Sequence, residues 1–559
     1  MIFSFFGRLF RQSSIIRFLS IICFFAVATV IGIGITNISH KKPELDSVSP
    51  TIGEAGGIVI LRGKYFDDTR GNNRVEVAGE SLTESSYLKW SDTLIMIKIP
   101  EIAENGLIQV VNKHGKSNPH IFAKRDTIPI IPQKYDSDGY PEISSLSSTN
   151  VEIGKEIIIT GKNFGITRNN SIVYFAWQSD KMIPLAGNIQ PEQICTPCSD
   201  HDFDYESWSD QEIRVQVPDG ATNGNIYVQT DKGLSNPVSL QIVNQPGTRE
   251  YSNKRTYVIA MQVDITNINA TEGNTLFLRI PMPEETVSQR SFQITASDPL
   301  PYMANYRGII LHQLENLEPN INKKITHTFL LSSYAVSTSI NPTQVKQYSD
   351  VKKQLYVTYT APNRIIPSDN KTILETAAKI TGTQKNPWRK AKLIYSWLID
   401  HIQYETVTNQ DRPVIQALEK QSGDAYDMAI LFCALSRASG IPTIPVAGIL
   451  VDENRNTRIH WWAEFYIENF GWIPVDPGLG AGIPVKLRDA DRKEWFFGNL
   501  GANHIAFSRG WTDQKPMTPN SKIVYKPRTF AFQAIWEEAS GNITGYTSFW
   551  HTPQITGIY

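Results

Sequence analysis

The chain has 559 residues, too many for one hydrophobic core, so several domains are expected. Its 54 Lys and Arg against 55 Asp and Glu leave a net charge of -1, without the basic surplus that holds a phosphate backbone, and no nucleic-acid partner is expected. Four cysteines exclude a disulfide scaffold, while 12 Trp and 22 Tyr suit β-rich domains with packed sheet faces.

Residues 1–40 read as a cytoplasmic tip and a transmembrane anchor. Arg8, Arg11 and Arg17 precede an apolar run from Phe18 to Ile35, long enough to cross the hydrocarbon core as a helix. The arginines favour a cytoplasmic N-terminus, which predicts a single-pass protein with its bulk extracytoplasmic, in the periplasm or at the cell surface. A cleaved signal peptide, with Ala26-Val27-Ala28 as its small-residue site, is the competing expectation.

An internal repeat follows. Trp90-Ser91-Asp92 recurs as Trp208-Ser209-Asp210, and Gly115 with Ser117-Asn118-Pro119 recurs as Gly233 with Ser235-Asn236-Pro237. Gly63-Lys64-Tyr65-Phe66 recurs as Gly161-Lys162-Asn163-Phe164, at a shorter offset. The second copy therefore carries an insertion between Gly165 and Trp208. Ile58 to Leu61, Ile157 to Thr160, Leu94 to Ile99 and Ile213 to Val217 read as strands, the last two stopped by Pro100 and Pro218. Short strands at this density suggest an immunoglobulin-like sandwich, and the pattern resembles the IPT/TIG domain. The resemblance predicts one module at 43–125 and another at 140–244.

Cys195-Thr196-Pro197-Cys198 lies in the insertion. A small disulfide between Cys195 and Cys198 is the expectation for a chain outside the cell. A zinc site would need further ligands, with His201, Asp202 and Asp204 nearby. No metal and no cofactor are assigned.

Residues 250–360 read as a further β domain, with strand-like runs at Tyr257 to Ile265, Leu276 to Pro281 and Ile325 to Leu331. Helical spacing begins near Asn370 and again after Asn386-Pro387, where Asn386 caps and Pro387 suits the first turn. A C-terminal β extension is expected over 516–559.

The informative stretch is Ser422 to Asp476. Gly423-Asp424 caps a predicted helix from Ala425 to Arg437, stopped by Gly440-Ile441-Pro442. His460-Trp461-Trp462-Ala463-Glu464 and Gly471-Trp472-Ile473-Pro474-Val475-Asp476-Pro477 read as two strands around a turn near Glu468. Such a hairpin sets His460 and Asp476 opposite or diagonal on one face, where the carboxylate can fix the imidazole tautomer. This order and spacing resemble the transglutaminase-like family of papain-like cysteine acyltransferases, an α+β fold expected here over 365–515. Trp495 to Leu500 and Phe507 to Gly510 resemble that family's later strands, although His504-Ile505 stands where Arg-Ile is usual.

The resemblance implies a nucleophilic Cys at position 425, with His460 and Asp476 as its partners. Ala425 stands there instead. A methyl group has no lone pair, so covalent catalysis at that position is impossible. Cys433, eight residues on, lies about 12 Å further along the helix and is expected to be packing. Asp424, Tyr426, Trp461 and Trp462 are the expected lining of a groove for an extended peptide. Three functions follow as expectations. The first is a catalytically inactive pseudoenzyme that binds a peptide or cell-envelope polymer. The second is an active transglutaminase or cysteine protease whose Cys was replaced by Ala, and the third a structural envelope or adhesion protein.

Overall fold

The computed structural model describes residues 41–559 apart from 50–51, 54–55, 78–79, 101–105, 125–138, 178–194, 307, 407–411, 488–492, 512–515, 517–520, 527 and 533–534. The expected anchor at 1–40 lies outside the described residues. Among those described, no helix is long and apolar enough to cross a membrane. The chain divides into two compact units, residues 1–130 and 131–559.

The first unit contains a two-sheet sandwich. One sheet orders its strands Glu44–Ser49, Ile58–Lys64, Leu94–Lys98 and Tyr87–Trp90. The second unit opens with a sandwich of the same strand order, beginning Glu142–Leu146, Glu156–Lys162, Glu212–Gln216 and Tyr205–Trp208. The repeated residues do the same work in each. Trp90 donates its indole N–H to the carbonyls of Phe66 and Asp67 at 3.0 and 3.1 Å, and Trp208 donates to Phe164 and Gly165 at 3.1 Å. Asn118 pairs with both backbone groups of Leu45, as Asn236 does with those of Ile143. A side chain at Gly63 or at Gly161 would collide with the Glu44 or Glu142 carbonyl. The repeat is thus a set of fasteners holding the same loops to the same strands.

The expected Cys195–Cys198 disulfide is not formed. Cys195 lies on a short strand, Cys195–Pro197, paired with Ile172–Ala176, and packs with Tyr174 and Tyr227. Cys198 sits in the sandwich core among Ile157, Val173 and Val215. Three positions along extended backbone turn the two side chains to opposite faces of the sheet. Burial pushes the Cys198 thiol well above its ordinary pKa.

The β domain is built on one long strand, β1 (Gly247–Pro281), in which Tyr257, Ile259, Met261, Val263 and Ile265 alternate inward. Around it lie β2 (Gln289–Asp298), β3 (Ile309–Glu315) and β4 (Lys323–Ile340), with β4 paired along the first half of β1.

The next domain packs α1 (Lys371–Thr381), α2 (Pro387–His401) and α3 (Ala425–Ala438) on one face of an antiparallel sheet. That sheet contains β5 (Thr443–Val451), β6 (Thr457–Ile467), β7 (Gly471–Val475) and β8 (His504–Arg509), in the order β7-β6-β5-β8. Asn370 and Asn386 cap α1 and α2 with their side chains, and Pro387 begins α2 as expected. Every residue from Ala425 to Arg437 is buried, which suits a helix apolar all round.

The C-terminal extension does not stand apart. Its strands β9 (Trp536–Trp550) and β10 (Gln554–Ile558) pair with β1, β9 running along Val263–Arg279. The β-domain core also takes in Ile449, Val451, Ile505 and Phe507, so this sheet packs against the sheet of the helical domain.

Candidate functional site

Helix α3 starts where the sequence places it. Asp424 is its N-cap, accepting from the Asp427 amide at 3.0 Å, while Asp427 reaches back to the Asp424 amide at 3.3 Å. Arg528 crosses to this end, donating to Asp427 at 2.7 Å and lying 4.2 Å above the Tyr426 ring. Arg412 donates to the other Asp427 oxygen and to Glu405 at 2.6 Å. The clamp therefore joins three acids and two guanidiniums at one helix head. Burial raises the Asp424 carboxyl to about 6, with the Asp427 charge adding to the shift. Neither arginine was singled out from the sequence, since each lies far from the helix it clamps.

Ala425 occupies the first helical position and is 5% exposed. It packs beside Gly478, where an added Cβ would lie 3.2 Å from the Ala425 methyl. Gly478 belongs to the short turn α4 (Pro477–Gly480), capped by the Asp476 side chain through the Leu479 amide at 2.9 Å. The head of α3 and the end of the hairpin thus meet at residues 425 and 478.

The hairpin pairs Ala463 with Val475 and Ile467 with Gly471, which leaves His460 and Asp476 diagonal to one another. His460 Nε2 donates to Asp476 Oδ2 at 2.6 Å, and both side chains are fully buried. His504, on β8, donates its own Nε2 to the same oxygen at 3.1 Å. Its Nδ1 faces the Gly501 carbonyl at 3.3 Å. Burial alone would raise the Asp476 carboxyl; His460 and the hydrogen bonds from both imidazoles outweigh it and hold the group well below the usual carboxylate range. Burial lowers the His460 pKa, against the pull of Asp476. With Nε2 committed as donor, His460 Nδ1 is an acceptor, and it is buried without a partner. Candidate ligand atoms of His460, Asp476 and His504 lie within 4.8 Å of one another, a spacing compatible with a metal, and the Nε2 of each imidazole faces the carboxylate.

The expected groove does not assemble from all four of its residues. Trp461 and Trp462 are neighbours on β6 and face opposite sides of the sheet. Trp461 joins the helical core and meets Tyr426 edge to face at 5.6 Å, beside the Asp424 clamp. Trp462 turns the other way, against His504 at 5.2 Å. Tyr426, Trp461 and Trp462 are all buried. Cys433 is buried inside α3, as expected of a packing thiol, with its pKa raised by burial to about 12.

A family model for the transglutaminase-like superfamily matches residues 374–477, and one for the IPT/TIG domain matches residues 43–122. An uncharacterized protein of Haemophilus influenzae is 29% identical over 166 residues, covering 23% of this chain and 44% of that protein. The chain spans less than half the length of the curated relatives it matches. Among solved structures, a candidate cysteine protease from Cytophaga hutchinsonii aligns over 56% of this chain and 93% of its own, with 18% identity and a TM-score of 0.37. The periplasmic domain of TgpA from Pseudomonas aeruginosa aligns over 41% of this chain and 87% of its own, with 14% identity and a TM-score of 0.22. This chain carries an IPT/TIG domain and a domain of the transglutaminase-like superfamily.

Proposed function

We propose that the chain is a membrane-anchored extracytoplasmic protein whose transglutaminase-like domain is disarmed and engages a peptide or cell-envelope polymer without cleaving or joining it. One observation carries the reading. Ala425 heads α3, beside the turn that follows Asp476, while the His460–Asp476 pair is intact. In an acyl transfer of this type a thiolate at the helix head attacks a carboxamide or peptide carbonyl, and the imidazole moves the proton. His460 Nδ1 is buried without a partner, and Ala425 offers nothing to deprotonate. Asp476 keeps the imidazole tautomer fixed regardless.

The test is turnover by the unaltered chain. Incubated with a glutamine-bearing peptide and a labelled amine, it should incorporate no label and release no ammonia. Hydrolysis or amine transfer by the chain carrying Ala425 would overturn the proposal.

A further inference from the structure

Behind the disarmed site lies an open cavity of about 230 Å³, lined by the second sandwich, the β domain and the face of the core sheet opposite α3. From the geometry and chemistry of its wall we infer that this cavity is a binding site for a neutral carbohydrate ring. It is separate from Ala425, so it stands or falls independently of the disarmed-site reading.

Charge comes first. The wall carries the carboxylates of Asp202, Asp219, Glu285 and Glu464 and the guanidiniums of Arg249, Arg290 and Arg509. These are largely matched to one another before any ligand arrives. Arg249 holds Asp219 at 2.7 Å, and Arg509 holds Glu464 at 2.7 Å and Asp202 at 3.1 Å. A charged ligand would have to break such a pair in a buried setting, which is costly. A neutral ligand with hydroxyl groups uses the spare lone pairs and N–H groups of the same pairs without separating charge.

The wall also supplies rings. Tyr174, Tyr251, Tyr334, Trp462 and Trp472 line the space, which gives the C–H groups of a pyranose apolar contact while its hydroxyls turn to polar neighbours. The polar side of the wall is fixed in place: the Arg249 side chain is 9% exposed, with its Nη1 on Asp219 and its Nη2 on the Trp472 carbonyl. The volume falls below the roughly 300–1000 Å³ of pockets for drug-sized ligands, which limits the occupant to about one ring with its substituents.

The experiment is titration calorimetry on the full chain in detergent, with tryptophan fluorescence in parallel. The probes are glucose, N-acetylglucosamine and cellobiose, with glucuronate, glucosamine and an N-acetylated trialanine amide as comparisons. At least one neutral sugar should saturate in the millimolar range or tighter, with a change in tryptophan emission, and the charged sugars and the peptide should bind roughly tenfold more weakly or worse. Tyr334→Ala, which removes a wall, and Ser288→Trp, which fills the space, should each weaken that sugar by about tenfold or more. Ala425→Cys, outside the cavity, should bind it as the unaltered chain does. Failure of every neutral sugar to saturate would overturn the inference. So would tighter binding of a charged sugar or the peptide, or unchanged sugar binding by folded Ser288→Trp.

Discussion

His460 spends one nitrogen on Asp476 and leaves the other buried without a partner, a loss on the order of 1–3 kcal/mol. That pairing was legible in the sequence because a hairpin about Glu468 can only set residues 460 and 476 near one another. The role of His504 was not. It lies 28 residues beyond Asp476, on a strand that reaches the site by pairing with β5, and no local spacing announces it. Trp461 and Trp462 were read together as a groove, yet strand alternation separates them; the same alternation parts Cys195 from Cys198. A further pair of histidines carries a pH prediction. His312 Nε2 and His327 Nε2 lie 2.9 Å apart inside the β domain, both nearly unexposed, and burial lowers each pKa from 6.5 to about 4. The unfolded chain takes up these protons near pH 6.5 and the folded chain only near pH 4. Their contribution is therefore full above pH 6.5 and lost as pH falls to 4, by about 3 kcal/mol for each at most. Asp424, raised to about 6, and Glu284, raised to about 7, work in the opposite direction over part of this range, so the histidine term is read by difference. Urea unfolding should show the unaltered chain losing more stability, or gaining less, than His312→Asn as pH falls from 6.5 to 4. A slope unchanged by that substitution would contradict the assignment.

Helix α3 was predicted as an element because Gly423-Asp424 and Gly440-Ile441-Pro442 punctuate it at both ends. The observed span, Ala425–Ala438, extends one residue past the expected end. What fixes its head was hidden in the sequence. Arg412 and Arg528 converge on Asp427 from 15 and 101 residues away, so neither shares a periodic pattern with the helix. Asp427 is fully buried, and a buried carboxylate that loses one of two guanidiniums is left undercompensated. Arg528→Leu should lower stability by about 3 kcal/mol and Arg528→Lys by less, because an ammonium retains the charge but not the fork. Equilibrium denaturation measures both; equal losses would place the effect in packing over Tyr426 instead.

Across the molecule, the two sandwiches were readable because their fasteners recur in the sequence, and the structure repeats them bond for bond. The tail was legible only as a β extension because strand runs carry no label naming their partner: β9 and β10 complete a sheet begun more than 250 residues earlier. Removing residues after 516 should therefore unfold the β domain, not trim an appendage. Val263, Leu276 and Leu278 would lose cover on β1, and limited proteolysis should cut β1 in the shortened chain but not in the whole one. The docking between domains is equally exacting. Gly471 has φ of 98°, and a side chain there would strike Asp219 of the second sandwich, beside its ion pair with Arg249.

If the site lacks only its sulfur, a thiol restored at residue 425 will be activated by the residues already there. The pH profile of alkylation by iodoacetamide should be measured by mass spectrometry for Ala425→Cys, with and without His460→Ala. A thiol at the head of α3 beside a working imidazole should titrate below about 7, and loss of His460 should return it toward the ordinary value near 8.5. An ordinary profile with His460 present, or a thiol that does not react at all, would contradict the account.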